Sequence, residues 1–197
     1  MGKAKVLRIV MLGPPGAGKG TQALLLAKAH SIPHISTGEM FRGAIRDGTE
    51  LGQKVKAILD SGMLVPDEVV VAMVRGRLAQ ADCSDGFLFD GYPRTVKQAE
   101  VLDSLLRELT QDLTHIVDLK VPESVLLERI RKRGEGRADD SMEVAAKRLK
   151  EYWEKTAPVS RYYVDTGTRL IVVDGLGTVE EVQRRIEDAV VGSGKLS

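Results

Sequence analysis

Apolar positions along this chain come in two rhythms. Five short runs are largely apolar at consecutive positions: 5–12 (KVLRIVML), 33–36 (PHIS), 86–90 (GFLFD), 115–121 (HIVDLKV) and 169–174 (RLIVVD). A strand with one wet face alternates, whereas a strand covered on both faces does not, so these runs predict parallel strands buried between helices. Between them the apolar residues recur at helical spacing, over 19–30, 38–47, 50–61, 67–81, 95–110, 122–133, 142–157 and 178–191. The alternation predicts an α/β fold of three layers, a parallel sheet with helices on both faces. Two stretches interrupt it. Residues 36–66 carry helical patterns and no strand, and 132–141 (KRGEGRADDS) is polar and broken by glycine. Inserted pieces of this kind, on the rim of a parallel sheet, are expected to be movable covers.

The turn after the first predicted strand reads GPPGAGKGTQ, from Gly13 to Gln22, and opens a helix. The first N–H groups of a helix lack intrahelical partners and lie at the positive end of its dipole, so this turn is suited to an anion. Glycines let the backbone wrap phosphate oxygens, and Lys19 follows at the spacing that reaches β- and γ-phosphates. Gly13 to Lys19 match the phosphate-loop pattern, but Gly20 stands where the strict pattern has a hydroxyl. Thr21 supplies it one residue later. A lookalike, GSGK at 192–195, has no strand before it and reads as a tail.

Composition narrows the class. The chain has 197 residues, 43% of them hydrophobic, which suits one substantial core, and a single domain over 1–197 is expected. Lys and Arg total 29 against 28 Asp and Glu, so no excess charge points to nucleic acid or a membrane surface. No apolar run approaches the roughly 20 residues of a membrane helix. The first apolar run is too short for a secretory leader and ends at Gly-Pro-Pro. Val6 stands where a myristoylation signal needs Ser or Thr. The one cysteine, Cys83, cannot form an internal disulfide, and a reducing, cytoplasmic setting is expected.

A second set of cations follows the strands. STGEMFR (36–42) places Arg42 one turn into a helix, and FDGYPR (89–94) places Arg94 beyond a strand end. Ligands of open α/β sheets sit beyond those carboxyl ends, so Lys19, Arg42 and Arg94 are expected to meet in one cleft, with a second anionic group opposite the first. ERIRKRGEGRADD (128–140) adds Arg129, Arg133 and Arg137, the first two on one helix face. Aromatics do not interleave them and Asp139 and Asp140 follow at once, which argues against a nucleic-acid patch. A solvated helix face and a cationic lid over phosphates are the two readings left.

These motifs together resemble the adenylate kinases of the nucleoside monophosphate kinase family, in their short-lid form. The resemblance spans about residues 6–190 and rests on GPPGAGKGTQ, ISTGEMFR, GMLVPDE, GFLFDGYPR with Gln98 downstream, KRGEGRADD, and the Arg148-Leu149 pair. It implies reversible, magnesium-dependent phosphoryl transfer from ATP to AMP, giving two ADP. It also implies a five-stranded parallel sheet of order 2-3-1-4-5, an acceptor-binding insert at about 36–65, a short lid at about 132–142, and a monomer. By resemblance Gly16, Ala17, Gly18, Lys19, Gly20 and Thr21 bind ATP phosphates, Arg129 lies against the ATP base, Arg133 on its phosphates, and Gly177 beside its adenine. Thr37, Arg42, Met63, Leu64, Val65, Gly91, Tyr92, Pro93, Arg94 and Gln98 line the AMP pocket, with Arg137 and Arg148 reaching over both nucleotides. Lys19, Arg94, Arg133, Arg137 and Arg148 form the catalytic set. Asp90 holds magnesium through water, with Thr21 the other metal candidate.

Physical chemistry agrees with that assignment. Phosphoryl transfer needs in-line positioning and positive charge around the moving group, and arginine forks match phosphate oxygens. An ionised monophosphate is already a nucleophile, so no general base is required, and His30, His34 and His115 are read as structural. Covers that exclude water protect a phosphoryl donor from hydrolysis. The lid carries no cysteines, so no structural zinc is expected. Thr37 and Gln98 favour adenine, since Gln98 offers both a donor and an acceptor to a base edge. UMP/CMP kinases share the phosphate loop and arginines and form the alternative. A nucleotide switch would lack the acceptor arginines, and a small-metabolite kinase would not need a base-reading segment.

Overall fold

The computed structural model describes residues 6–133 and 142–192. Five strands form one sheet: β1 (Leu7–Leu12), β2 (His34–Ser36), β3 (Gly86–Asp90), β4 (His115–Lys120) and β5 (Leu170–Asp174). All pairs are parallel and the spatial order is β2-β3-β1-β4-β5. The pattern reading placed every strand within two residues of these ends.

Period-two geometry sorts the strand residues onto two faces. Leu7, Ile9 and Met11 of β1 join Leu88, Val117 and Leu119 on one face. Val10 and Leu12 join Phe87, Phe89 and Ile116 on the other. The first face is covered by α1 (Lys19–Ala29), α6 (Glu123–Arg133), α7 (Met142–Glu151) and α9 (Val179–Val191), through Leu26, Leu126, Leu149 and Ile186. The second is covered by α4 (Asp67–Leu78), α5 (Val96–Glu108) and α8 (Ala157–Asp165), through Val74, Leu102 and Tyr163. Each such buried side chain contributes on the order of 1.5–3 kcal/mol relative to exposure. The inner strands β1, β3 and β4 are covered on both faces, which is why they read as apolar runs, whereas the edge strand β5 alternates and leaves Val172 60% exposed.

The interrupted stretch 36–66 folds as α2 (Thr37–Arg46) and α3 (Glu50–Asp60). Ser36 caps α2 by accepting from the Glu39 N–H, and Thr49 caps α3 by accepting from the Gly52 N–H. The two helices meet at Gly52, where a Cβ would overlap the Ala44 carbonyl.

One predicted boundary is corrected. The helical pattern ends at 157 in the sequence reading, but the chain stays helical to Asp165. A wide π turn, Tyr152–Thr156, joins α7 to α8, and Pro158 lies in the first turn of α8. Proline lacks an N–H and crowds the carbonyl four residues back, so it normally stops a helix. The widened turn accommodates it.

Replacing Gly52 by alanine should force α2 and α3 apart. Overpacking of this kind costs about 1–3 kcal/mol. The melting temperature should fall by at least about 2 °C, as a 1 kcal/mol loss does in a protein of this size. An unchanged melting temperature would show that the hairpin relaxes freely.

Candidate active site

Strand order places the cleft. The chain leaves β1 toward β2 on one side, and later crosses β1 to reach β4 on the other, so the crevice opens beyond the carboxyl end of β1. A cleft of about 580 Å³ lies there, lined by the phosphate loop, Asp90, Gly91, Pro93, Arg94, Arg42, Met63, Leu64 and Arg148. Lys19, Arg42 and Arg94 therefore meet in one cavity as the pattern predicts, and Arg148 joins them from α7.

The loop between β1 and α1 is held open by its glycines. Gly13, Gly16 and Gly18 all have positive φ. A Cβ at Gly13 would lie 2.9 Å from the Leu119 carbonyl oxygen, and one at Gly16 2.9 Å from the Leu126 carbonyl oxygen on α6. Lys19 turns back and donates to the Pro14 carbonyl at 2.9 Å, so its ammonium lies over the loop. Gly20 and Thr21 are exposed at the start of α1, and Thr21 faces the cleft.

Arg129 donates to the Gly175 carbonyl at 3.0 Å and to the Ala17 carbonyl at 3.4 Å. It thereby ties the phosphate loop to the turn after β5, which contains Gly177. Gln22 makes a parallel tie, donating from Nε2 to the Val179 carbonyl at 3.0 Å. Gly177 itself has φ 114°, before Thr178 caps α9.

Opposite the loop stands Arg94, held at three points. Its N–H donates to Gln98 Oε1 at 2.8 Å, and its Nε donates to the Gly91 carbonyl at 2.7 Å. Its carbonyl accepts from the Thr156 hydroxyl at 2.8 Å. Thr37 also donates to the Gly91 carbonyl, at 2.9 Å. Arg42 pairs with Glu39 at 2.6 Å, one turn apart on α2. Tyr92 is buried, and its hydroxyl donates to the Gln98 carbonyl at 3.2 Å. A smaller cavity beside Arg94 is lined by Thr37, Gly38, Met63, Leu64, Val65, Gly91 and Gln98. Arg148 approaches from α7, where its Cγ would lie 3.1 Å from a Cβ at Gly62.

Asp90 ends β3 with 14% of its side chain exposed, and its Oδ2 lies 3.7 Å from His34 Nε2. Burial pushes its carboxyl up, but His34 and the charges of Lys19 and Arg94 together outweigh burial and hold it below the usual carboxylate range. An ionised carboxylate at this depth, beside phosphate-binding groups, fits a magnesium ion that keeps its water shell. Among the described residues no group of three or more His, Cys, Asp or Glu side chains is placed to hold a metal.

The residues not foreseen are His34, Asp67 and Thr156. His34, a structural residue on the sequence pattern, lines the cleft. Asp67 accepts from Gln98 Nε2 at 2.7 Å. Thr156, the last residue of the π turn, lines the cleft. Arg137 lies outside the described residues, as does most of the expected lid, 134–141.

Residues 11–168 match the family model of adenylate kinase. The adenylate kinases of Brucella ovis, Brucella abortus and Brucella anthropi are each 47% identical over 193 residues, covering 94% of this chain and 99% of theirs. A phosphate loop facing an arginine-lined pocket across one cleft is the arrangement that such likeness calls for, and the chain belongs to the adenylate kinase family.

Proposed function

We infer that the chain carries the reaction of its family, reversible phosphoryl transfer from ATP to AMP with release of two ADP. The observation that carries this reading is the single cleft in which Lys19 and the phosphate loop face Arg42, Arg94 and Arg148. One cationic site would serve a triphosphate alone. Two, on opposite walls, serve a donor and an acceptor. The UMP/CMP alternative is not favoured.

On the donor side, Gly16, Ala17, Gly18, Lys19, Gly20 and Thr21 bind the ATP phosphates. Arg129 and Gly177 lie by the base and Arg133 on the phosphates. On the acceptor side, Thr37, Arg42, Met63, Leu64, Val65, Gly91, Tyr92, Pro93, Arg94 and Gln98 form the AMP pocket. Arg94 and Arg42 fix the acceptor phosphate in line with the donor, and Arg148 and Arg137 spread over the transferring group. These cations are placed where negative charge develops, so little reorganisation accompanies transfer. Asp90 is the residue to hold magnesium through water, with Thr21 beside it. Magnesium supplies charge neutralisation on the donor phosphates. We read the chain as one domain, with 36–65 covering the acceptor and 132–142 covering the donor. The cytoplasmic reading is supported by the single cysteine, Cys83, which is buried and free, and the monomeric reading rests on the family resemblance.

The first test is a coupled assay with Mg-ATP and AMP, UMP, CMP or GMP in turn. AMP should be strongly preferred. Preference for a pyrimidine would keep the fold and overturn the base assignment, and no activity with any would remove the kinase reading.

Lys19→Met should lower the transfer rate by about 10²–10³-fold, the loss seen when one preorganised donor is removed. Arg94→Ala should be comparably damaging. Near-native turnover in either protein would remove that residue from the catalytic set.

Thr156→Val leaves the Arg94 carbonyl without its side-chain donor. A hydrogen bond of this kind contributes about 0.5–1.5 kcal/mol, so the KM for AMP should rise about 2- to 10-fold. Serine at 156 should restore it, and the KM for ATP should stay nearly constant. Equal rises for both nucleotides would place the effect in the fold rather than at Arg94.

A further inference from the structure

Gln98 lines the smaller cavity, yet only 2% of its surface is exposed. Its side-chain amide has two hydrogens and two carbonyl lone pairs. One lone pair accepts from the Arg94 backbone N–H at 2.8 Å, and one hydrogen goes to Asp67 Oδ1 at 2.7 Å. Neither partner can exchange its role. A backbone N–H only donates, and an ionised carboxylate only accepts. Turning the amide over would set donor against donor at Arg94 and acceptor against acceptor at Asp67. Asp67 stands in the first turn of α4.

One lone pair and one hydrogen of the amide remain. With the amide fixed, they form an edge of defined sense. Adenine and cytosine carry an exocyclic amino donor beside a ring-nitrogen acceptor, which complements that edge. Guanine and uracil carry a carbonyl beside a ring N–H, the reverse pattern. A buried edge facing the wrong pattern leaves polar groups unpaired, which is how a site rejects a ligand of the right size.

We propose that Asp67 is a specificity-determining residue. Through the chain Asp67–Gln98–Arg94 it locks the Gln98 amide in one sense, so the pocket selects a base with an amino group beside a ring acceptor. The proposal rests on the smaller cavity being the monophosphate pocket. Asp67 does not touch the base in this account; it acts as a positioning residue for Gln98.

The test is a double-mutant cycle read as base selectivity. AMP and GMP are alike in size, so the ratio of their kcat/KM values isolates the hydrogen-bond pattern. It is measured for the parent protein, Asp67→Asn, Gln98→Ala and the double variant, with Asp67→Glu as the conservative replacement. Asparagine can donate as well as accept, so it removes the Asp67 end of the lock and leaves the Arg94 N–H as the one group that sets the sense of the Gln98 amide. The AMP-over-GMP ratio should fall about 10-fold in Asp67→Asn, the scale of one hydrogen bond to a charged group. The fall should come mainly through the KM for AMP, with the KM for ATP unmoved. Asp67→Glu, which remains acceptor-only, should keep more of the discrimination. In the Gln98→Ala background, Asp67→Asn should add nothing. The ratio is taken within each protein, so a general loss of activity cancels. An unchanged ratio in Asp67→Asn overturns the lock, and so does an equal fall with and without Gln98. Unchanged selectivity in Gln98→Ala would instead remove Gln98 from the base pocket, the reading on which the lock depends.

Discussion

The arrangement depends on holding several like charges together at one end of a sheet. Lys19, Arg42, Arg94 and Arg148 converge on one cleft, with Arg129 at its side. Such groups repel and, left free, would point into water. Main-chain carbonyls restrain three of them. Lys19 lies on Pro14, Arg94 on Gly91, and Arg129 on Ala17 and Gly175. Carbonyl oxygens carry only partial charge, so they orient a cation without neutralising it. Two of the three carboxylates that line the cleft behave otherwise. Glu39 pairs with Arg42 outright, and Asp90 stays ionised inside the charge of Lys19 and Arg94.

Carbonyl restraint also explains why the loops have the shapes they have. Each restraint sits where the backbone leaves a regular element, so the carbonyl has lone pairs that no strand ladder or helix takes. Pro14 and Ala17 lie between β1 and α1, Gly91 follows β3, and Gly175 follows β5. The irregular backbone at the sheet's carboxyl edge is thus a set of acceptors already assigned to cations. Preorganisation of this kind is what a reaction governed by electrostatics needs, since groups that stay put cost nothing to align as charge moves.

Much of this was legible in the sequence, for a physical reason. Strands buried on both faces must be apolar at successive positions, and 86–90 or 115–121 could hardly be anything else. Lys19, Arg42 and Arg94 each follow a strand end, and strand ends converge in a parallel sheet. Asp67 and Thr156 were not legible. Their partners lie 31 and 62 residues away in the chain, and no local pattern marks an acidic first turn or a mid-helix threonine as belonging to a site. Pro158 was actively misleading. It is an ordinary stop signal unless the preceding turn widens, and the residue that ends the widened turn, Thr156, is the one bonded to Arg94.

Those unforeseen contacts divide the cleft by the kind of group that builds each wall. The wall proposed for the donor is mostly backbone, glycine-rich and tied by Arg129 and Gln22. Backbone N–H groups suit phosphates, which need charge and little else. The acceptor wall is a run of side-chain and main-chain hydrogen bonds from Thr156 through Arg94 and Gln98 to Asp67. Each member has a fixed donor or acceptor sense, so the run has a direction. A base must be read as well as held, and a directional chain can do that where a carbonyl-lined loop cannot. Arg94 sits in both systems. Its guanidinium is aimed by the Gly91 carbonyl, while its own N–H sets the sense of Gln98. On the proposed assignment, positioning of the phosphate and choice of the base share one residue, and the backbone of that residue connects them.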